Sequence, residues 1–176
     1  MRHAKSAWPD VPDHERPLAR RGRRDAPAMG RWLGPAGCVP DQVLCSTARR
    51  ARETWQLAEA ELAAIPPVSS EGRVYQASAA GLLDLIRQAA SEVRTLLVIG
   101  HDPAVQELAL LLAGTAPDER DGSRGSRPVQ SGALDRMRAK FPTAALAVLE
   151  FTGTWPQLAP GRARLAGFLT PRDIPR

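Results

Sequence analysis

Two histidines and a set of arginines in this chain have the types and spacing to handle a phosphoryl group. Arg2 and His3 stand together, Arg50 lies within Ser46-Thr47-Ala48-Arg49-Arg50-Ala51-Arg52-Glu53-Thr54, and His101 lies within Gly100-His101-Asp102-Pro103. Transfer through a phosphorylated imidazole needs one neutral ring nitrogen to attack phosphorus and fixed positive donors to hold the oxygens as charge redistributes. His3 can supply the first, and the charges of Arg2 and Arg50 would lower its pKa and favour the neutral form. His101 can donate to the transferring oxygens. Arg50 can bind them as a planar fork that lysine cannot imitate, with Arg49 and Arg52 as competitors for that place. Taken singly, each group has an ordinary reading too: a terminal Arg-His pair as a surface dipeptide, a helix arginine as solvated, a histidine as satisfied by a helix end.

The elements that must position these residues are legible around them. Thr95-Leu96-Leu97-Val98-Ile99 is a short apolar run ending at Gly100, the pattern of a strand buried on both faces. Asp102 then offers a helix cap and Pro103 a first helical residue, with Val105, Leu108, Ala109 and Leu112 as an apolar stripe. Gln42 to Cys45 reads as a second buried strand, followed by a helix capped by Ser46 or Thr47 that runs to about Leu62 and buries Ala51, Trp55, Ala58 and Leu62. Both units deliver a charged side chain to the carboxyl edge of a sheet, where open α/β sheets bind ligands. Gly81 to Arg87 reads as a helix, and Ala145 to Phe151 and Ala163 to Leu169 as strands. A helix over Leu18 to Leu33 should be shortened or kinked by Pro27. Thr115 to Pro128 reads as a loop.

Composition bounds the rest. At 176 residues and 43% hydrophobic content the chain fits one domain, 1–176, and no apolar run is long enough to cross a bilayer. Cys38 and Cys45 are too few for a disulfide framework, and no apolar signal region opens the chain, so the expected compartment is the cytoplasm. The net charge of +5 suits nucleic acid or phosphorylated substrates equally. With four Trp, three Phe and one Tyr, and no aromatic-basic alternation, nucleic acid is not the expected partner. Nothing has metal-ligand spacing, and Gly122-Ser123-Arg124-Gly125 lacks the lysine of a nucleotide-phosphate loop, so neither metal nor cofactor is expected.

Arg2-His3-Ala4, the segment from Ser46 to Arg50 and Gly100-His101 together resemble the histidine phosphatase superfamily, and within it the small phosphohistidine phosphatases of the SixA type. Asp13-His14-Glu15-Arg16-Pro17-Leu18, followed by Gly22, is similar to the Asp-x-x-Arg-Pro-Leu segment of SixA-type members. The resemblance implies a phosphoglycerate mutase-like three-layer α/β sandwich, its mostly parallel sheet covered by helices on both faces. It implies His3 as nucleophile, with Arg2, Arg50 and His101 around the phosphoryl group; the family spacing, four residues after the serine, selects Arg50 over its neighbours. Arg16 is implied at the mouth of the pocket, against the plainer alternative of a surface ion pair with Asp13.

The implied substrate is a phosphohistidine on a protein. Larger members use an added carboxylic acid to protonate an alcohol leaving group, whereas Val74-Tyr75-Gln76-Ala77-Ser78 has none and leaves Glu71 as the remaining candidate. A departing imidazole needs such an acid less than an alkoxide does. The alternatives are a phosphatase for small esters or nucleotides and a non-catalytic phosphate-binding domain. The superfamily also places a buried strand ahead of its Arg-His motif, where this chain has Met1. The expectation is a first strand truncated by a start set too far downstream, or else a damaged copy, and a groove in the sheet where that strand belongs.

Overall fold

The computed structural model describes residues 1–113 and 132–174. Along the chain run α1 (Arg20–Leu33), β1 (Gln42–Ser46), α2 (Arg49–Glu59), β2 (Val68–Glu71), α3 (Ala79–Ile86), β3 (Leu96–Ile99), α4 (Ala104–Ala113), α5 (Ala133–Ala139), β4 (Leu146–Glu150) and β5 (Arg164–Leu169). Short 3-10 turns span Asp13–Glu15, Gly72–Val74 and Trp155–Gln157. The expected loop from Thr115 to Pro128 lies outside the described residues.

The result is a mixed α/β fold with helices on both faces. Three parallel strands lie in the order β2-β1-β3, and β4 and β5 form a separate antiparallel pair. Alternation along the strands divides the core. Val43, Cys45, Leu97 and Ile99 face Met29, Leu33, Trp55 and Ala58 of α1 and α2. Leu44, Leu96 and Val98 face the opposite cluster with Leu82, Leu85, Leu108, Leu112, Met137 and Phe168. Two apolar layers on one sheet are what lets its strands read as near-continuous apolar runs.

Met1 to Ala4 spans the space between the two sheets. Gly100 N donates to Met1 O at 3.1 Å and His3 N to Gly100 O at 3.0 Å, while Arg2 N donates to Ala145 O at 3.0 Å and Ala144 N to His3 O at 3.1 Å. Beyond Met1 the two sheets part. A cavity of about 490 Å³ lies there, lined by Leu96, Val98, Leu146, Val148 and Trp155 among others, with Met1 at its edge. The amino terminus donates to Val98 O at 2.7 Å, and burial pushes its pKa down to about 5.

Four local readings are corrected. Ala48, not Ser46 or Thr47, is the N-cap of α2 and makes no side-chain cap bond; Ser46 is drawn into the site instead. Leu62 lies past the end of α2, partly buried against the same core. Pro103 sits in the turn before α4, and Asp102 extends an oxygen to 3.6 Å from Arg2 Nη1. Pro27 does not shorten α1, which runs on through it to Leu33. Packing on α2 outweighs one missing backbone bond: at Gly30 the helices approach so closely that a Cβ would stand 2.1 Å from Ala58 O. β2 and α5 have no counterpart among the elements expected from sequence, β2 because its Val-Ser-Ser-Glu stretch is that of an exposed edge with no apolar pattern.

Candidate active site

The carboxyl ends of β1 and β3 and the chain after Met1 converge on one hollow. His3 is held in place by Ala4. Its Nδ1 lies 2.7 Å from Ala4 O, and because a carbonyl only accepts, Nδ1 carries the proton and Nε2 the lone pair. Ala4 N donates to Thr54 Oγ1 at 2.9 Å, and that hydroxyl donates to Arg50 O at 2.6 Å, tying the neighbour of His3 to the first turns of α2. Further on, Ser6 pairs with Leu18, and Gly22 passes so near the chain that a Cβ would lie 2.2 Å from Lys5 O. That contact accounts for a glycine at this position.

The two imidazoles are close: the ring centroids of His3 and His101 are 5.1 Å apart. Arg50 lies between them, its Nε 3.3 Å from His3 Nε2 and its Nη2 3.4 Å from His101 Nδ1. Of the three candidate arginines only Arg50 enters the site. Arg49 pairs with Glu53 on the surface, and Arg52 is exposed. His101 is steadied from behind by Ser46 Oγ, 2.8 Å from its Nε2. That hydroxyl is wholly buried and also accepts from Ala48 N at 3.3 Å.

Burial is the main cause that lowers the pKa of His3, to about 3, with the charges of His101, Arg50 and Arg2 adding to it and the bond to Ala4 opposing. Arginine charge, the cause expected from sequence, is the lesser one. Burial likewise holds His101 at about 4, helped by Arg50. Both rings are neutral at ordinary pH. Arg2 acts on them through its charge, since its Nη1 donates to Phe141 O at 2.7 Å, and its buried Nε has no partner among the described residues.

Asp13 is the residue whose place the sequence did not reveal. Arg16 does pair with it, Nη1 to Oδ1 at 2.7 Å, but the pair belongs to the site rather than the surface. Arg50 Nη2 donates to Asp13 Oδ2 at 3.0 Å and Nη1 to its backbone carbonyl at 2.6 Å, while Tyr75 Oη donates to Oδ2 at 2.5 Å. Arg16 is buried behind this carboxylate, also donating to Ser6 Oγ and Ala7 O and lying 3.2 Å from the Trp8 ring centroid. The hydrogen bond from Tyr75, then that from Arg16, holds the Asp13 carboxyl far below the usual carboxylate range. Tyr75 roofs the hollow, edge-on to His101 at 5.4 Å and to His14 at 4.9 Å. Glu71 turns away to cap Arg73 N and pair with Arg73, whose hydrogen bonds lower it to about 2. Asp13 and Glu71 therefore carry no proton at neutral pH.

Paired imidazoles flanking an arginine at the carboxyl edge of a parallel sheet define a phosphoryl-handling fold, and the comparisons agree. Residues 1–74 match the family described as the histidine phosphatase superfamily, branch 1. A solved chain from Nakamurella multipartitia named for the phosphohistidine phosphatase SixA is 33% identical, with a TM-score of 0.79 over 97% of this chain and 93% of that one. Its counterpart from Agrobacterium tumefaciens is 28% identical, with a TM-score of 0.73 over 97% and 94%. This chain belongs to the histidine phosphatase superfamily, in its SixA-type group. Its activity is that of a phosphatase. An uncharacterized protein of Mycobacterium tuberculosis is 41% identical over 173 residues, 98% of this chain and all of that relative. No helix among the described residues is long and apolar enough to cross a membrane.

Proposed function

We propose that this phosphatase removes the phosphoryl group from a phosphohistidine on a protein, with His3 as the group that carries it in between. The observation behind this reading is the tautomer of His3, whose Nδ1–H is committed to Ala4 O so that the Nε2 lone pair faces the hollow beside Arg50 and His101. In the first step a bond forms from His3 Nε2 to phosphorus as the phosphorus–nitrogen bond of the substrate breaks, and the substrate ring, already protonated at its other nitrogen, departs as neutral imidazole with the electron pair of that bond, so no proton need be supplied. In the second, water attacks phosphorus and His3 leaves neutral. Arg50 and Arg2 compensate the charge on the phosphoryl oxygens; once these take the place of the Arg50 contact at His101 Nδ1, the Ser46 hydroxyl turns to donate to Nε2 and the His101 proton stands on Nδ1, where it donates to the oxygens, and Arg16 supports the arrangement from behind Asp13.

The substrate class rests on the proton inventory. An alkoxide leaving group needs an acid, and neither Asp13 nor Glu71 has a proton to give. An imidazole leaves as a far weaker base. The test incubates the protein with a phosphohistidine protein and with a panel of alkyl phosphate esters and nucleotides, then seeks acid-labile, base-stable phosphate on His3. Labelling of His3 by the first donor, lost in His3→Gln, supports the reading. Faster turnover of the esters would assign the small-molecule alternative, and no covalent phosphate from any donor would leave a phosphate-binding domain.

A further inference from the structure

Arg50 has little to offer a phosphoryl group as it stands. Its Nε–H is directed at His3 Nε2, Nη1 at the Asp13 carbonyl, and Nη2 at both Asp13 Oδ2 and His101 Nδ1. The Nε contact also covers the very lone pair that must attack phosphorus. A guanidinium has five N–H groups, and the resident partners engage four of them. What holds the arginine in this state is a carboxylate, the side-chain anion closest in geometry to two oxygens of a phosphate. Its side chain is 50% exposed, whereas that of Arg50 is 8% exposed, so Asp13 lies on the solvent side of the arginine, where a phosphoryl group must enter.

The segment carrying Asp13 is built to yield. The 3-10 turn Asp13–Glu15 has no buried residue and no side-chain cap, and Trp8 to Asp13 are exposed. Few buried apolar contacts mean a low free energy of local opening. The groups that hold the carboxylate, Arg16, Arg50 and Tyr75, are themselves hydrogen-bond donors, and each would suit phosphate oxygens equally well.

We propose that Asp13 is a resident anion of the phosphoryl site, occupying the Arg50 fork between turnovers, yielding it to the substrate, and returning to displace the product phosphate. The proposal rests on the reading of Arg50 as the phosphoryl-binding group. Its physical content is competition: two anions share one cationic fork, and the tethered one lowers the affinity for the other. Phosphate release is thereby hastened, at some expense in substrate affinity. Asp13 is then a positioning residue that sets how long phosphate stays.

The test measures binding of inorganic phosphate by calorimetry at fixed pH and ionic strength in the wild type, Asp13→Asn and Asp13→Ala. Losing the carboxylate removes a charge-assisted competitor, so phosphate should bind roughly tenfold tighter or more in both variants, and product inhibition should strengthen by the same factor. A carboxylate that merely braced Arg50 would give the opposite result, weaker phosphate binding from a disordered fork. Equal or weaker binding in variants that melt at the wild-type temperature overturns the proposal. If Asp13→Asn does not fold, Asp13→Ala decides alone by the same criterion, and the reverse. Should wild-type protein form no phosphate on His3 while the variants still bind phosphate more tightly, the resident anion stands and the enzymatic reading falls.

Discussion

Replacing Thr54 with Val tests whether His3, the proposed nucleophile, is positioned from α2. The side chains are nearly the same size, so the wholly buried site is not emptied; what disappears is the hydroxyl that accepts from Ala4 N and donates to Arg50 O. Ala4 N–H is then left buried without an acceptor, which costs about 1 to 3 kcal/mol. For a chain of this length, each kcal/mol lowers the melting temperature by about 2 to 4 °C, giving a fall of about 2 to 12 °C. The larger effect is local. Ala4 also supplies the carbonyl that fixes the tautomer of His3, and a ring displaced by about 1 Å loses on the order of a hundredfold in rate. Thermal melting and the single-turnover rate of phosphate appearance on His3 are the assays, with Thr54→Ser, which keeps the hydroxyl, as the control. If Thr54→Val melts and reacts like the wild type while Thr54→Ser is no better, α2 does not anchor the nucleophile.

Ser46→Ala removes the partner of His101 Nε2 and should lower the rate of phosphoryl transfer on the order of tenfold with a smaller change in KM; a change confined to KM would contradict the positioning role. Gly30→Ala drives a methyl into the backbone of Ala58 and should destabilise by about 1 to 3 kcal/mol or more, read by urea unfolding; an unaltered midpoint would mean that the α1–α2 contact can yield. His3 and His101 are held at about 3 and about 4 when folded, against an ordinary value of 6.5. Between these limits the unfolded chain binds more protons than the native one, so their contribution favours folding fully above about pH 6.5 and is lost progressively as pH falls towards 3. Proton resonances of the two rings that move with a midpoint near 6.5 would refute burial as the cause. Burial also pushes the Cys45 thiol up to about 12, so a thiol reagent at neutral pH should leave Cys45 unmodified in the native state and label it once unfolded; rapid native labelling would show the strand to be accessible.

The sequence by itself determined the elements with a strong local signal: the apolar runs of β1 and β3, the stripes of α2 and α4, and the charged residues delivered at their ends. It also pointed to Arg2, His3, Arg50 and His101, which the fold brings to one hollow. Local signals failed where tertiary contacts decide. The hydroxyl of Ser46 could cap a helix as readily as meet an imidazole 55 positions away, and only the packing of β3 beside β1 selects the second. Pro27 is tolerated because α2 is there to pack against. Asp13 is the sharpest case: three residues before Arg16 it reads as half of a surface pair, yet folding brings Arg50 and Tyr75 to the other oxygen of its carboxylate from 37 and 62 residues away. Periodicity and caps are properties of neighbours along the chain, whereas the electrostatics of a site belong to groups that meet only once the chain has closed on itself.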